Sequence, residues 1–465
     1  MYSRCNKYRG VIIGKKSCGR LCWNNLSGCN TERSGKKPKP FEEIPGPASL
    51  PIIGTLYKYL PLFGEYSFTQ LQETGAKKLK RFGSLVREEM VPGVNIVWIF
   101  RPEDIAEVFK AETGLHPERR SHLALLKYRR DRKDVYNTGG LLPTYNKISS
   151  YENSNLGNTD ALMKCLSTEE RHENSRTSKL IKAAFTTNSA ILKLDNGPQL
   201  WRFFETPLYR KLRKAQMYME GVALELVSQK EKESGQSRSL LKAYLENPAL
   251  DIKDIIGMSC DMLLAGIDTT TYSSASALYH LANNPHTQEK LRTEAMQLIP
   301  NCNQPITPEI LRNASYTKAV IKETLRMNPI SVGIGRILQT DVILSGYHVP
   351  KGTVAVTQNQ IICRLPEYFS NPNSFIPERW LRESTDNENK SNGGKSVHPY
   401  LLLPFGHGPR SCIARRFAEQ NMQVLLLRMC RQLQFIWRGD EFKIRSLLIN
   451  KPDVPIKLEF LKNKT

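Results

Sequence analysis

Apolar residues recur at helical spacing through the middle of the chain. The longest run extends from about residue 251 to 284 and stops before Pro285, a residue that cannot continue a helix interior. A second run extends from about residue 317 to 327 and stops before the dipeptide Asn328-Pro329. The pattern predicts two helices in a leucine-rich, largely helical part of the chain.

Shorter apolar runs follow the second helix. The sequence DVILSGYHVPKGTVAV, residues 341–356, holds two of them, with turn signals at 345–346 and 350–352. Another helical pattern, IARRFAEQNMQVLLL, occupies residues 413–427. Because nothing within residues 41–465 resembles a linker, we predict one large body. The helical patterns and the short apolar runs predict that this body is mainly α-helical with small β-sheets.

The chain is strongly basic, with a formal net charge of +22. Its 40% hydrophobic and 24% charged residues are ordinary for a soluble globular chain. A basic chain suits nucleic acid, an anionic membrane or an acidic protein as its partner. The sequence lacks zinc-finger spacing, an RNA-binding aromatic signature and a basic leucine zipper, so we expect no nucleic-acid partner.

The first forty residues have the composition of a targeting segment. Ten of them are Lys or Arg, Glu32 is the one acidic residue, and the longest apolar run covers only residues 11–13. A membrane anchor needs ~20 apolar residues and a secretory signal ~7–15. The composition predicts a mitochondrial transit-like leader over 1–40 and a folded domain over 41–465; a disordered basic tail is the alternative.

One cysteine stands among glycines, prolines and arginines in PFGHGPRSCIARR. As a thiolate, Cys412 would be a good iron ligand, stabilised by nearby N–H groups and by the N-terminus of the next helix. Gly406 and Gly408 allow the loop to turn back toward the sulfur. Arg410 suits a carboxylate partner, and Phe405 could shield the sulfur from water. The alternative is a buried structural cysteine.

The sequence LLAGIDTTT lies within the long predicted helix. Ala265 and Gly266 remove side-chain bulk there, and the glycine costs helix stability. Asp268 and Thr269 place an acid beside a hydroxyl, and a Thr hydroxyl bonded to a carbonyl one turn back loosens a helix locally. We predict a notch for a flat cofactor with a proton donor beside it; ordinary packing around small residues is the alternative.

The sequence KETLR places Glu323 and Arg326 three residues apart on one helical face. Such a pair is usually a surface salt bridge worth little. The later sequence FIPERW adds Arg379, which would complete a buried cluster of one Glu and two Arg. We expect the cluster to hold the cysteine loop in place, and its disruption to cost on the order of 3–5 kcal/mol.

The motifs AGIDTT, ExxR, PER and FGHGPRSC occur in the order found in the cytochrome P450 family, which the chain resembles. They span residues 265–414, and the resemblance covers the body from 41 to 465. It implies the fold of that family, a haem b cofactor and monooxygenase chemistry with O2. The implied roles are iron ligation by Cys412, propionate contacts by Arg410 and Arg336, cover of the sulfur by Phe405, proton delivery by Asp268 and Thr269, and a structural cluster of Glu323, Arg326 and Arg379.

Basic residues near the cysteine resemble those of the mitochondrial branch, in which cations dock a small acidic ferredoxin. Lys318 and Lys322 share a helical face, and Arg415 and Arg416 follow the cysteine. The resemblance implies electrons from NADPH through ferredoxin reductase and an adrenodoxin-like ferredoxin. It also implies a peripheral position on the matrix side of the inner mitochondrial membrane. A solvated basic face is the alternative.

Two flanking stretches, HPERRSHLALLKYRRDRKDVYNTGGLLPT and LWRFFETPLYRKLRKAQ, resemble the insect mitochondrial steroid hydroxylases that oxidise C22 of ecdysteroid precursors. The implied function is hydroxylation of such a steroid in moulting-hormone biosynthesis. Apolar candidates for lining its site, which could equally be core residues, are Met262, Leu263, Ala265, Val332 and Ile334.

The chain departs from the family pattern after GLLPT, where the family continues into a helix with Trp-x-x-x-Arg that contacts haem propionates. Residues 145–180 are instead polar and weakly patterned, and no Trp lies between Ile99 and Trp201. We therefore expect a fold that lacks this haem-flanking helix. Two alternatives to an active monooxygenase follow. One is a non-catalytic or misassembled form, and the other is an electron-independent haem-thiolate isomerase, which Asp268, Thr269 and the basic face disfavour.

Overall fold

The computed structural model describes residues 37–60, 64–112, 122–137, 175–197, 199–232, 240–381, 397–447 and 449–462. Most of the predicted leader, 1–40, lies outside these residues. Lys39 already pairs with the body, because its amide N–H donates to the Gly346 carbonyl at 3.0 Å and its carbonyl accepts from the His348 N–H at 2.9 Å. The boundary after residue 40 stays a prediction.

The described part of the chain is mainly α-helical, as predicted. Its helices are α1 (Leu71–Phe82), α2 (Pro102–Lys110), α3 (Leu123–Asp131), α4 (Arg176–Asn196), α5 (Pro207–Lys232), α6 (Leu240–Leu245), α7 (Ile252–Asn283), α8 (Pro285–Leu298), α9 (Pro308–Asn313), α10 (Ser315–Met327), α11 (Asn359–Ile362) and α12 (Arg415–Gln432). The predicted helices correspond to α7, α10 and α12. Among the described helices, none combines the length and apolar character that crossing a membrane demands.

Helix α7 is the element against which much of the fold packs. The Asp251 carboxylate caps its start by accepting a hydrogen bond from the Asp254 N–H at 2.9 Å, and the helix ends at Asn283, just before Pro285. Helices α4, α5, α8, α10 and α12 all pack against α7. Neighbours on several sides explain why buried residues occur around its circumference, as Leu264 and Leu281 show.

Short strands form four sheets within the described residues. They are β1 (Leu85–Val91), β2 (Val94–Ile99), β3 (Gly335–Ile337), β4 (Val342–Leu344), β5 (Tyr347–Val349), β6 (Val354–Thr357), β7 (Leu433–Trp437), β8 (Ile444–Ser446), β9 (Asn450–Pro452) and β10 (Leu458–Lys462). The largest sheet has the order β1-β2-β6-β3, with β2 parallel to β6. Ser345 and Gly346 form the predicted turn between β4 and β5 with φ of 47° and 82°, as a tight hairpin turn requires.

Three large apolar clusters fix the helices around the site. One lies between the four-stranded sheet and α2 and includes Val97; the second joins α3, α4 and α5 to α7 through Leu264. The third joins α7, α10 and α12 through Leu281, Leu325 and Leu426. Each fully buried leucine contributes about 1.5–3 kcal/mol, so this packing determines where the chemically interesting side chains lie.

The weakly patterned segment 145–180 enters the described residues at its end. Residues 176–180 form the first turn and a half of α4. Ser175 supplies the reason, because its side-chain oxygen accepts a hydrogen bond from the Ser178 N–H at 3.1 Å and so caps the helix. The rest of the segment, up to residue 174, lies outside the described residues.

Candidate functional site

Cys412 ends a tight loop three residues before α12 begins. Gly406 and Gly408 have left-handed φ values of 78° and 70°, which residues with a Cβ atom rarely adopt. The loop closes where the Cys412 N–H donates to the Phe405 carbonyl at 2.8 Å. The thiol is exposed, which excludes a buried structural cysteine. It lies just before the N-terminus of α12.

Phe405 and Arg410 flank this loop. Phe405 is half-buried against the cluster of α7, α10 and α12, and the Arg415 guanidinium lies 5.3 Å from its ring centroid. Arg410 is half-buried at the end of the short helical turn Gly408–Arg410. The loop therefore carries an aromatic side chain on its inner side and a basic residue two positions before Cys412.

Arg336 lies at the edge of the cysteine loop, with only 2% of its surface exposed. Its Nε donates to the carboxylate of Glu112, and Nη2 donates to the His407 carbonyl at 3.2 Å. The sequence did not reveal Glu112 as a member of the site, because 224 positions separate it from Arg336. Arg336 thus already binds a carboxylate beside the loop.

Helix α7 presents small, half-buried residues near its middle. A Cβ atom added at Gly266 would meet nothing within 4 Å. The Thr269 Oγ1 donates to the Ala265 carbonyl at 2.6 Å, one turn back, as the sequence predicted. Leu264 and Asp268 beside them are buried, and the notch for a flat cofactor at these small residues stays a prediction.

Asp268 is 5% exposed, and its carboxylate faces α4. Burial raises the pKa of this carboxyl, whereas the hydrogen bond from Asn188 and the charge of Lys451 lower it. The Asn188 Nδ2 donates to Asp268 Oδ2 at 3.0 Å. Sequence analysis missed both Asn188 and Lys451, because no local pattern marks a polar residue as the partner of a distant helix.

The five predicted lining residues are all half-buried, as expected of side chains at the margin of the core. They are Met262, Leu263, Ala265, Val332 and Ile334. Leu263 packs against the cluster of α3, α4 and α5, and Ile334 packs against the sheet cluster. These two residues therefore contribute to the core as well, and a lining role for the set stays a prediction.

Glu323 and Arg326 are fully buried, which excludes a surface salt bridge. The Arg326 Nε and Nη2 donate to the two Glu323 carboxylate oxygens at 2.9 and 2.8 Å, and the Arg379 Nε donates at 3.1 Å. The Trp380 Nε1 and the Ile376 N–H add hydrogen bonds of 2.8 and 3.0 Å. One carboxylate therefore joins α10 to the PERW turn, Pro377–Trp380.

A short chain of contacts connects this cluster with the cysteine loop. The Arg326 Nη1 donates to the Cys363 carbonyl at 2.9 Å, and the Cys363 thiol donates to the Leu401 carbonyl at 3.2 Å. The Asn359 Nδ2 donates to the same Leu401 carbonyl at 2.8 Å. Leu401 lies three residues before Pro404, where the loop motif begins. Cys363 and Leu401 therefore link the cluster to the segment that leads into the loop.

The four predicted docking cations, Lys318, Lys322, Arg415 and Arg416, are all exposed. The Lys322 Nζ lies 4.1 Å from the Trp380 ring centroid. Partial burial and the nearby Arg415 charge lower the pKa of Lys322. Lys322 of α10 and Arg415 of α12 therefore lie close together, although Arg415 also pairs with a glutamate one turn along its helix at 3.0 Å.

The sequence model of the cytochrome P450 family matches residues 152–460 of the chain. The chain belongs to this family. It is therefore a haem-thiolate monooxygenase by class. The cytochrome P450 fold expected from the motifs is confirmed by this match and by the mainly helical architecture with small sheets.

Curated relatives agree over most of this cytochrome P450. It is 44% identical to "Cytochrome P450 302a1, mitochondrial" of Drosophila melanogaster, over 92% of this chain and 97% of the relative. It is 28% identical to "Probable cytochrome P450 49a1" of the same organism, over 95% and 86%. It is 33% identical to the fly's "Probable cytochrome P450 12a5, mitochondrial", over 78% and 68%.

The residues of this P450 fit a haem group. Cys412 offers an exposed thiol before a helix N-terminus, and Arg336 beside it already binds a carboxylate, the same chemical group as a propionate. Gly266 leaves space on α7, which packs against α12. A flat cofactor with an iron centre and acidic edges suits this set of residues.

The expected absence of a Trp-x-x-x-Arg helix concerns residues 145–174, which lie outside the described residues. Trp201, the next Trp along the chain, makes structural contacts instead. Its side chain is buried, its Nε1 donates to the Leu194 carbonyl at 2.8 Å, and its ring stacks on Tyr209 with 6.0 Å between centroids. Trp201 therefore stabilises the connection between α4 and α5.

Proposed function

We propose that this cytochrome P450 is a mitochondrial steroid hydroxylase that inserts one oxygen atom into an ecdysteroid precursor at C22. The exposed Cys412 thiol at the N-terminus of α12 is the observation that carries the oxygen chemistry. The substrate assignment is supported by the resemblance of residues 116–144 and 200–216 to such hydroxylases. Relatives whose names include "mitochondrial" support the compartment.

Haem b, when bound, supplies O2 activation and electron storage that amino acids lack. Cys412 would ligate its iron through Sγ, and Phe405 would cover that sulfur. Arg410 and Arg336 would bind the propionates, with Arg336 exchanging or sharing its present carboxylate partner, Glu112. The overall reaction consumes O2, two electrons and two protons, and it yields the alcohol and water.

Asp268 and Thr269 would handle protons on the α7 side of the haem. Burial raises the pKa of Asp268, so its carboxyl holds a proton to a higher pH than an exposed aspartate does. The Thr269 hydroxyl adjoins it in sequence and is oriented by the Ala265 carbonyl. Thr269 lies on the same face of α7 as Gly266, next to open space, whereas the Asp268 carboxylate faces α4.

The face formed by Lys318, Lys322, Arg415 and Arg416 would dock an adrenodoxin-like ferredoxin. This small acidic protein would carry electrons from NADPH by way of ferredoxin reductase. Partial burial and the nearby Arg415 charge lower the pKa of Lys322, and an acidic partner would offset the like-charge part of that effect. The net charge of +22 would also speed the encounter.

The connection between α4 and α5 would attach the protein peripherally to the matrix side of the inner membrane. Leu200, Phe203 and Phe204 are 48%, 85% and 58% exposed, which is unusual for neighbouring large apolar residues. Arg202 in the same connection and Lys211 in the first turns of α5 are exposed. Apolar side chains flanked by cations match an anionic lipid surface.

Vesicle binding tests this attachment. Replacing both Phe203 and Phe204 by Ser should lower binding to anionic phospholipid vesicles on the order of tenfold to hundredfold, because two aromatic side chains no longer enter the lipid. Co-sedimentation measures the bound fraction. Ile343→Ser, at a residue 55% exposed on β4, is the matched control. Equal loss of binding in both variants would contradict a specific role for the α4–α5 connection.

Reconstitution with ferredoxin and its reductase tests the catalytic proposal. A panel of ecdysteroid precursors should yield one product that has gained a single oxygen, placed at C22 by mass spectrometry and NMR. Turnover of other steroids alone would overturn the substrate assignment. A carbon monoxide difference spectrum without the thiolate-type band would instead favour the non-catalytic form, and product formation without ferredoxin would favour the isomerase.

A further inference from the structure

Asn188 reaches the Asp268 carboxylate from a different helix. It lies on α4, which packs against α7, and its Nδ2 donates to Asp268 Oδ2 at 3.0 Å. No other described residue donates a hydrogen bond to this carboxylate, so Oδ1 is left for proton exchange. We propose that Asn188 is a positioning residue that orients Asp268 and tunes its proton affinity, an inference that rests on the proton role proposed for Asp268.

The chemistry of the amide explains why asparagine suits this position. Its Nδ2 donates to an ionised carboxylate, and after rotation of the amide its Oδ1 accepts from a protonated one. A Lys or Arg at the same place could only donate and would favour the ionised state permanently. A neutral partner that bonds both states allows Asp268 to lose and regain a proton without losing its orientation.

The charged and titratable groups around Asp268 are few within the described residues. Lys451 on β9 lowers its pKa, and the Lys451 Nζ lies 4.6 Å from the ring of Phe185 on α4. Tyr272, one turn along α7, has its pKa raised by burial and by Asp268. Asn188 is therefore a neutral side chain that donates a hydrogen bond to Asp268, whereas Lys451 acts on the carboxyl through its charge.

The location of Asn188 makes this tuning sensitive to helix position. Phe185 and Asn188 are three residues apart on α4 and so lie on the same face. Thr187 between them accepts a hydrogen bond from the Gln216 side chain of α5 at 3.1 Å. A shift of α4 relative to α7 would lengthen the Asn188–Asp268 bond and so couple the placement of α4 to the proton affinity of Asp268.

Asn188→Leu removes the donor while keeping a similar volume, and Asn188→Ala serves if leucine is not tolerated. In the haem-loaded protein, the pH midpoint of the Asp268 carboxyl band, assigned by infrared difference against Asp268→Asn, should rise by about one pH unit. Peroxide released per NADPH should rise severalfold while the substrate dissociation constant, read by spectral titration, stays the same. Asn188→Gln, which keeps the amide, should recover part of both effects.

Thr186→Val is the matched control, because the Thr186 hydroxyl donates only to the Lys182 carbonyl one turn back on α4. An unchanged infrared midpoint in Asn188→Leu would overturn the inference, as would weaker substrate binding with normal coupling, which would make Asn188 a substrate contact. A parent protein that hydroxylates no steroid would defeat the proposed function, and the infrared shift would still decide the role of Asn188.

Discussion

Individual side chains on α7 make structural contacts at the residues to which we assign a proton role. Thr269 uses its hydroxyl to bond the Ala265 carbonyl at 2.6 Å, beside a glycine whose missing side chain leaves open space. The next residue toward the N-terminus, Asp268, is buried and has a raised pKa. The Thr269 hydroxyl therefore lies on the helical face next to the open space, and the Asp268 carboxyl beside it in sequence faces α4.

Thr269→Ala should uncouple electron use from hydroxylation. Peroxide per NADPH should rise roughly tenfold or more, since positioned acid–base groups typically contribute ~100-fold or more to rate. Product, peroxide and NADPH are measured together in the reconstituted system. Thr269→Ser should stay near the parent. Thr271→Ala removes the same kind of bond, 2.7 Å to the Ile267 carbonyl, at an exposed site and should change nothing. Unchanged coupling in Thr269→Ala would contradict the proton role.

At the scale of elements, the Glu323 carboxylate joins α10 to the PERW turn. It accepts hydrogen bonds from Arg326, Arg379, Trp380 and the Ile376 backbone, and all of these meet where water is excluded. The guanidinium of Arg326 then bonds backbone carbonyls of the segment that precedes the cysteine loop. The cluster therefore orders elements that local sequence alone leaves unconnected.

Glu323→Gln should destabilise the fold on the order of 3–5 kcal/mol, because two buried guanidinium groups lose their shared counter-charge. The midpoint of urea unfolding, followed by circular dichroism, measures the loss. Glu107→Gln removes an exposed carboxylate that pairs with Lys110 at 2.8 Å and should cost about 1 kcal/mol or less. Equal midpoints for the two variants would show that the buried cluster adds no more than a surface ion pair.

At the scale of the whole molecule, charge and apolar exposure are distributed unevenly. Exposed cations occupy α10 and the start of α12, whereas exposed aromatic residues occupy the connection between α4 and α5. We propose an acidic protein as the partner of the cations and lipid as the partner of the connection. The two proposed partners therefore use separate segments of the chain.

Lys322→Gln should weaken ferredoxin binding severalfold at low ionic strength, because one cation leaves the docking face. The effect should shrink as salt rises toward 1 M, where screening shortens electrostatic reach to about 3 Å. The KM for ferredoxin, measured across a salt series, reports both features. Lys351→Gln alters an exposed lysine in the turn before β6 and should leave the KM unchanged. A salt-independent effect would point to altered packing on Trp380 instead.

Local spacing made much of this protein predictable. The boundaries of α7 and α10 follow from apolar periodicity and proline stops, and the β4–β5 turn follows from its Ser-Gly pair. The Glu323–Arg326 pairing follows from a three-residue offset on one helical face. Residues 176–180 show what such spacing does not mark, since they belong to a weakly patterned stretch and form helix behind the capping Ser175.

By itself, the sequence determined the helical class, the cysteine loop and the family motifs, because each depends on neighbours within a few residues. Only the tertiary structure decided that Arg336 binds Glu112 and that Asn188 bonds Asp268, across 224 and 80 positions. Those partners meet because helices and sheet pack apolar faces together, and a polar side chain brought along by that packing leaves no periodic trace in the sequence.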